Sequence, residues 1–147
     1  MTLLEDLDKA IDNYFKDIIV TFDFNLYEDY SKGMGALKKY KNDYLKIQII
    51  NDKGIINLDI SPLFDKEDFR DSEIINSLII LDNSSSELLG KWDREKVLNK
   101  RLELKEQASV IKDNWTFLVK LYNEDNYKQT IRDLNKLGLE RSKLLFG

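Results

Sequence analysis

The chain has no cysteine, no histidine and a single proline among its 147 residues. Without Cys or His there is no disulfide, no thiolate nucleophile, no Ser–His or Cys–His pair and almost no route to a zinc site. Long apolar runs are also missing. The longest is four residues, far short of the roughly 18 that span a bilayer, so no membrane association is expected. The N-terminus does not read as a targeting signal, because Met1-Thr2-Leu3-Leu4 runs at once into Glu5, Asp6 and Asp8. The expected compartment is the cytoplasm. Positive charge is not in excess either. The net charge of −4 argues against a nucleic-acid binder, which would present a basic face.

What is present is enough for a core. Hydrophobic residues make up 42% and charged residues 34%, which suits one folded domain over residues 1–147. Charge comes in blocks. Residues 1–31 carry 8 acids and 2 bases, 32–58 carry 2 and 6, 59–93 carry 9 and 3, and 94–147 carry 8 and 12. Two acidic blocks thus alternate with two mildly basic ones, a pattern that bears on association more than on fold.

Hydrophobic periodicity gives the elements. Thr2 and Glu5 fit a capping box, and Leu4, Leu7, Ile11, Tyr14 (beside Phe15) and Ile18 form one helical stripe. Val20, Phe22, Phe24 and Leu26 then alternate as a strand would. Tyr27–Gly35 reads as a loop, Ala36–Lys41 as a short strand and Asn42-Asp43 as a turn. Tyr44–Ile50 and Ile55–Ser61 flank Asn51-Asp52-Lys53-Gly54 as a hairpin. Setting Ile50 opposite Ile55 places Leu45, Ile47 and Ile49 against Ile60, Leu58 and Ile56 on one face, with Lys46 opposite Asp59 on the other.

Pro62 ends that strand. An acidic loop follows over Asp65–Asp71, then a helix over Ser72–Leu81. Ser84 and Glu87 suggest a further helix start, with Leu88, Leu89 and Trp92 in its first turns. The seam Val97, Arg101, Leu104, Ala108, Ile111, Trp115, Leu118, Tyr122 predicts a helix of roughly 30 residues. Asn123–Asn126 breaks it, and Leu137-Gly138-Leu139 reads as a later helix stop. The expected fold is α+β: an N-terminal helix, a small antiparallel sheet built on the 44–61 hairpin, and a helical C-terminal half with one long helix.

Tests for chemistry are negative. Read as an EF-hand loop, Asp65, Glu67, Asp71 and Glu73 fill four positions, but Arg70 replaces the turn glycine and Asn76 the bidentate glutamate. Gly33-Met34-Gly35 is half of a nucleotide-binding loop, with Lys38 at its third position. Twenty-seven acids guarantee close carboxylate pairs by chance, so none is singled out as an acid–base pair. No metal, cofactor or catalytic set is assigned.

The segment Leu45-Lys46-Ile47-Gln48-Ile49-Ile50-Asn51-Asp52-Lys53-Gly54-Ile55-Ile56-Asn57-Leu58-Asp59-Ile60-Ser61-Pro62, followed by Phe69-Arg70-Asp71-Ser72-Glu73-Ile74-Ile75, resembles small bacterial immunity proteins of contact-dependent-inhibition and other polymorphic toxin systems. The shared pattern is a strand, a D-R-G-type turn, a second strand and an aromatic-acidic segment opening a helix. Here Lys53 stands for the Arg, and Arg70 interrupts the acidic segment. The resemblance covers about a quarter of the chain. It implies an antitoxin without catalysis that binds one secreted toxin domain, and it carries over no catalytic residue. A structural or adaptor module pairing through the long helix is the competing reading. Two acidic surfaces are candidate contacts. One is Tyr27, Glu28, Asp29 and Tyr30, where tyrosine suits a protein interface. The other is Asp65, Glu67, Asp68 and Asp71 around Phe69, read as a solvated charged rim about an aromatic anchor.

Overall fold

Thr2 opens the first helix as expected. Its hydroxyl accepts the Glu5 amide at 3.1 Å, which satisfies one of the free N–H groups of a helix start. The computed structural model describes residues 2–64, 66–83 and 90–146, and runs from here through α1 (Leu3–Ala10), a π turn (Ile11–Phe15) and α2 (Lys16–Thr21). In the π turn the Lys16 N–H donates to the Ile11 carbonyl, one residue farther back than in an α-helix. That wider turn brings Phe15 into the stripe with Leu7, Ile11 and Ile18, and Tyr14, expected there, faces solvent. The helix also outruns its expected end. Val20 belongs to α2 and is 67% exposed, so of the strand expected at 20–26 only Asn25 and Leu26 are strand, at the start of β1 (Asn25–Lys32).

The sheet is an antiparallel meander in the order β1-β2-β3-β4-β5, with β1 (Asn25–Lys32), β2 (Gly35–Lys41), β3 (Leu45–Asp52), β4 (Ile55–Pro62) and β5 (Arg70–Asp71). The expected loop at 27–35 is therefore mostly strand. As an edge strand it buries almost nothing, and so shows no apolar alternation. Gly33, with φ +59°, makes the tight turn to β2.

The 44–61 hairpin forms with the expected faces but in a different register. Ile47 pairs with Ile60, Ile49 with Leu58, and Asp52 with Ile55, a shift of two residues from the expected pairing. Gln48, not Lys46, lies opposite Asp59, and donates to it at 3.1 Å. A two-residue slip leaves every side chain on its face. The turn decides the register: Lys53 (φ +54°) and Gly54 (φ +96°) are both left-handed, as a two-residue type I′ loop requires.

The C-terminal half contains α3 (Ser72–Asn83), α4 (Lys91–Leu98), α5 (Leu104–Asp113), α6 (Trp115–Leu121) and α7 (Tyr127–Phe146). The helix start expected at Ser84–Glu87, with Leu88 and Leu89, lies outside the described residues. The helix expected over 97–122 is three pieces. The chain leaves α4 at Asn99 and re-enters at Glu103, where Glu103 and Glu106 form a reciprocal capping box. It breaks again at Asn114. The long helix is α7 instead, and Gly138 sits inside it without ending it.

Helices α3 and α5 pack on β4, α5 also meets the first helix, and α7 lies against α3 and α4. The buried residues form one cluster, in which Tyr40, Leu45, Ile47, Ile49, Leu58 and Ile60 meet Leu7, Phe15, Ile18, Ile75, Ile111 and Leu118. Each such side chain contributes about 1.5–3 kcal/mol on burial. Most polar groups in this layer are paired, the buried Tyr122 hydroxyl being an exception. Lys38 reaches over the helix-facing side of β2 to Asp8 at 2.8 Å. Gln107, buried on α5, accepts the Leu58 N–H at 2.8 Å and the Ser72 hydroxyl at 3.1 Å. It also donates to the Leu102 carbonyl, and so fixes α5 to the sheet edge and to α3.

Candidate functional site

The register that sends Leu45, Ile47 and Ile49 into the core turns the intervening residues to the other face of the sheet. At the sheet's β5 end α7 reaches that face, where Arg141 pairs with Asp71 at 3.1 Å. Cross-strand pairing arranges it in rows. Tyr30, Leu37, Ile50 and Asn57 make one row, and Glu28, Lys39, Gln48, Asp59 and Asp71 the next. A β-bulge between Leu26 and Glu28 adds Tyr27 beside the second row. The first row is largely apolar, with Tyr30 51% exposed, and near it at the hairpin ends lie Met34 (63%) and Ile55 (66%). The second row is charged.

The segment after Pro62 folds back over the charged row. Glu67 accepts from the Tyr27 hydroxyl at 2.7 Å and from Lys39 Nζ at 2.8 Å, and lies 3.9 Å from Lys46. Lys39 holds Glu28 at 2.8 Å as well, and its ammonium stands 5.5 Å from the centre of the Phe69 ring. Lys41 and Lys46 flank the Tyr27 ring at 5.2 and 5.8 Å, within cation–π reach. The Lys39 hydrogen bond, with help from Tyr27 and Lys46, holds the Glu67 carboxyl below its ordinary range against the opposing effect of burial. Burial and the Glu67 hydrogen bond push the Tyr27 hydroxyl far up, so it stays a donor.

The two candidate surfaces of the sequence reading are thus partly one. Tyr27, Glu28, Glu67 and Phe69 meet on the open face, and Tyr30 lies one row away. Asp29 does not join them: the register sets it opposite Lys38, toward the helix side. Asp65 lies outside the described residues. The remaining acids are not a freely solvated rim. Asp68 takes Arg70 Nε at 2.9 Å and the Tyr127 hydroxyl at 2.6 Å. Burial raises its carboxyl, and these two donors more than reverse that. Asp71 accepts the Ile74 N–H at 2.8 Å, capping α3, and pairs with Arg141 at 3.1 Å. Their charges lock the 66–71 segment to the sheet and to α7.

Sequence reasoning placed Lys46 on the outward side of the hairpin but missed Leu37, Lys39 and Ile50 as members of this face. The Asp59 carboxyl is pushed up to about 6 by its burial, more than the Gln48 hydrogen bond lowers it, with Asp71 adding repulsion. No nucleophile–base pair stands beside it among the described residues. Among them, too, no group of three or more acidic side chains could hold a metal ion, and no helix is long and apolar enough to cross a membrane. The face offers a surface of tyrosine, aliphatic and paired charged groups.

Compared with protein-family models, curated proteins and solved structures, the chain matches none of them.

Proposed function

We propose that this chain is a non-enzymatic immunity protein that binds a bacterial toxin domain through the open face of its sheet and so neutralises it. The observation that carries the reading is the row of exposed Tyr30 and half-buried Leu37 and Ile50 beside the Lys39–Glu67–Tyr27 network. Its side chains stand on paired strands and are already braced by ion pairs and hydrogen bonds. Little conformational freedom is then lost when a partner docks. The resemblance of residues 45–75 to immunity proteins supports the same reading. Acidic steering does not lead it, because Lys39 and Arg70 already answer Glu67 and Asp68.

A second reading, an adaptor that self-associates through its long C-terminal helix, now falls on α7, where Leu139 and Leu144 are exposed. The two separate cleanly. The C-terminal domain of any large secreted protein encoded immediately upstream is expressed with and without this chain. Neutralisation predicts restored growth and a one-to-one complex that Leu37→Glu abolishes while the melting temperature holds. Continued protection by Leu37→Glu, or dimerisation removed by Leu139→Glu with no toxin bound, overturns the proposal.

A further inference from the structure

The outer edge of β4 is covered in steps, and the cover stops short. β5 pairs with Asp59 and Ile60. The next outward N–H, that of Leu58, is taken by Gln107. Alternation along an antiparallel strand puts the following outward N–H and C=O on Ile56. No strand pairs with Ile56 on this side, and no described side chain bonds it there. The edge instead opens on a cavity of about 680 Å³ between β4, residues 98–104 and the end of α7. Its apolar lining includes Ile56, Leu98, Leu102 and Leu145.

The charges around this groove are unequally engaged. Asp71 is held by Arg141 and the start of α3. Glu73 accepts the Leu102 N–H at 2.6 Å, and Glu103 caps α5. Lys100, by contrast, has no ion-pair partner among the described residues. Arg101 reaches Glu73 only at 3.7 Å and its side chain is 82% exposed. The lining carries Asp71, Glu73 and Glu103 against Lys100, Arg101 and Arg141, and of these six side chains Lys100 alone has no hydrogen-bond or ion-pair partner among the described residues.

We propose that this groove binds an extended segment of a protein partner bearing acidic side chains, which adds to β4 at Ile56 as a further strand. An exposed strand edge is complemented by another extended backbone. A helix has already satisfied its own backbone groups and would leave those of Ile56 unmet. The volume falls within the roughly 300–1,000 Å³ of ordinary binding clefts. Lys100 and Arg101 select carboxylates at alternate positions of the added strand. The proposal does not rest on toxin neutralisation, although the groove adjoins the open face at Ile55.

The test uses the full chain and a capped peptide of alternating valine and aspartate. Two further versions carry N-methyl groups on one or the other alternate set of backbone nitrogens. A peptide with lysine in place of aspartate serves as control. Saturable binding is expected, with amide NMR shifts concentrated at residues 55–58 and 98–104. Only one N-methylated version should lose affinity, because only one set of N–H groups faces β4. Lys100→Glu should weaken the aspartate peptide about tenfold, the scale of a close charge pair. Equal binding of both methylated versions overturns the added strand, and equal binding of the lysine peptide overturns the acidic preference. Absence of binding, shifts confined to the open face, or a dimer of the chain itself burying this edge each overturns the site.

Discussion

Asp59→Asn offers the most direct measurement of how the sheet handles charge. In the folded chain the Asp59 carboxyl titrates at about 6, against 3.8 when unperturbed. The fold therefore holds this proton more tightly than the unfolded chain does. Stability from this group must rise as pH falls through about 6 toward 4, and be lost as pH rises through about 6. At about 1.4 kcal/mol for each pKa unit, the difference corresponds to about 3 kcal/mol, an upper figure that partial solvent access reduces to about 2. Asparagine keeps an oxygen to accept from Gln48 and removes the charge. The variant should be more stable than the parent by about 2 kcal/mol at about pH 7.5, or roughly 4–8 °C in melting temperature for a chain of this size. The gain should vanish near pH 4. Carboxyls held low in the fold, Glu67, Asp68 and Glu140, lose their contribution at acid pH in both proteins and cancel in the comparison. Urea melts of both proteins from about pH 4 to pH 8 decide the matter. Parallel profiles, with one constant offset, refute a buried carboxylate as the source.

Other expectations follow from single observations. Reversing Glu67 and Asp68 to Lys would place cations against Lys39, Lys46 and Arg70, so the melt should show a loss of about 2–3 kcal/mol; adding Lys39→Glu should recover part of it, and a loss under about 0.5 kcal/mol would restore the solvated-rim reading. The Tyr122 hydroxyl is buried without a hydrogen-bond partner among the described residues, so Tyr122→Phe should leave stability unchanged or raise it by about 1 kcal/mol; a clear loss in chemical denaturation counts against this. Gly138 lies inside α7, and a methyl group added to it would meet nothing within 4 Å, so Gly138→Ala should stabilise by about 0.5–1 kcal/mol, whereas a helix-ending glycine in left-handed backbone would lose stability in the same melt.

How much of this was legible depended on whether a residue has one buried face. The core side of β3 and β4 followed from alternation alone, because parity is all that alternation encodes. The pairing within that parity came from the Lys53-Gly54 turn, and lysine gives little warning of a positive φ. β1 escaped notice because an edge strand with exposed Tyr30, Glu28 and Asp29 has no apolar rhythm. Residues 97–122 kept a helical rhythm through two breaks, since consecutive short helices wrapping one core bury residues at similar spacing. Asn99 and Asn114, poor helix formers at the breaks, were the local cue. Tyr27 and Glu67 were each singled out, but their meeting across 40 positions depends on the path taken after Pro62, which no local pattern encodes.

The π turn in the first helix bears on the history of the chain. A turn that holds one residue more than an α-helix needs is the trace expected when a single-residue insertion is absorbed where it falls, without rotating the helix beyond it. Relatives one residue shorter between Ile11 and Phe15 would then carry an unbroken α-helix with the same core residues, and an alignment forced through without a gap would set Tyr14 against Phe15. Position 14 should accept polar residues freely among descendants of this chain, and position 15 should remain large and apolar.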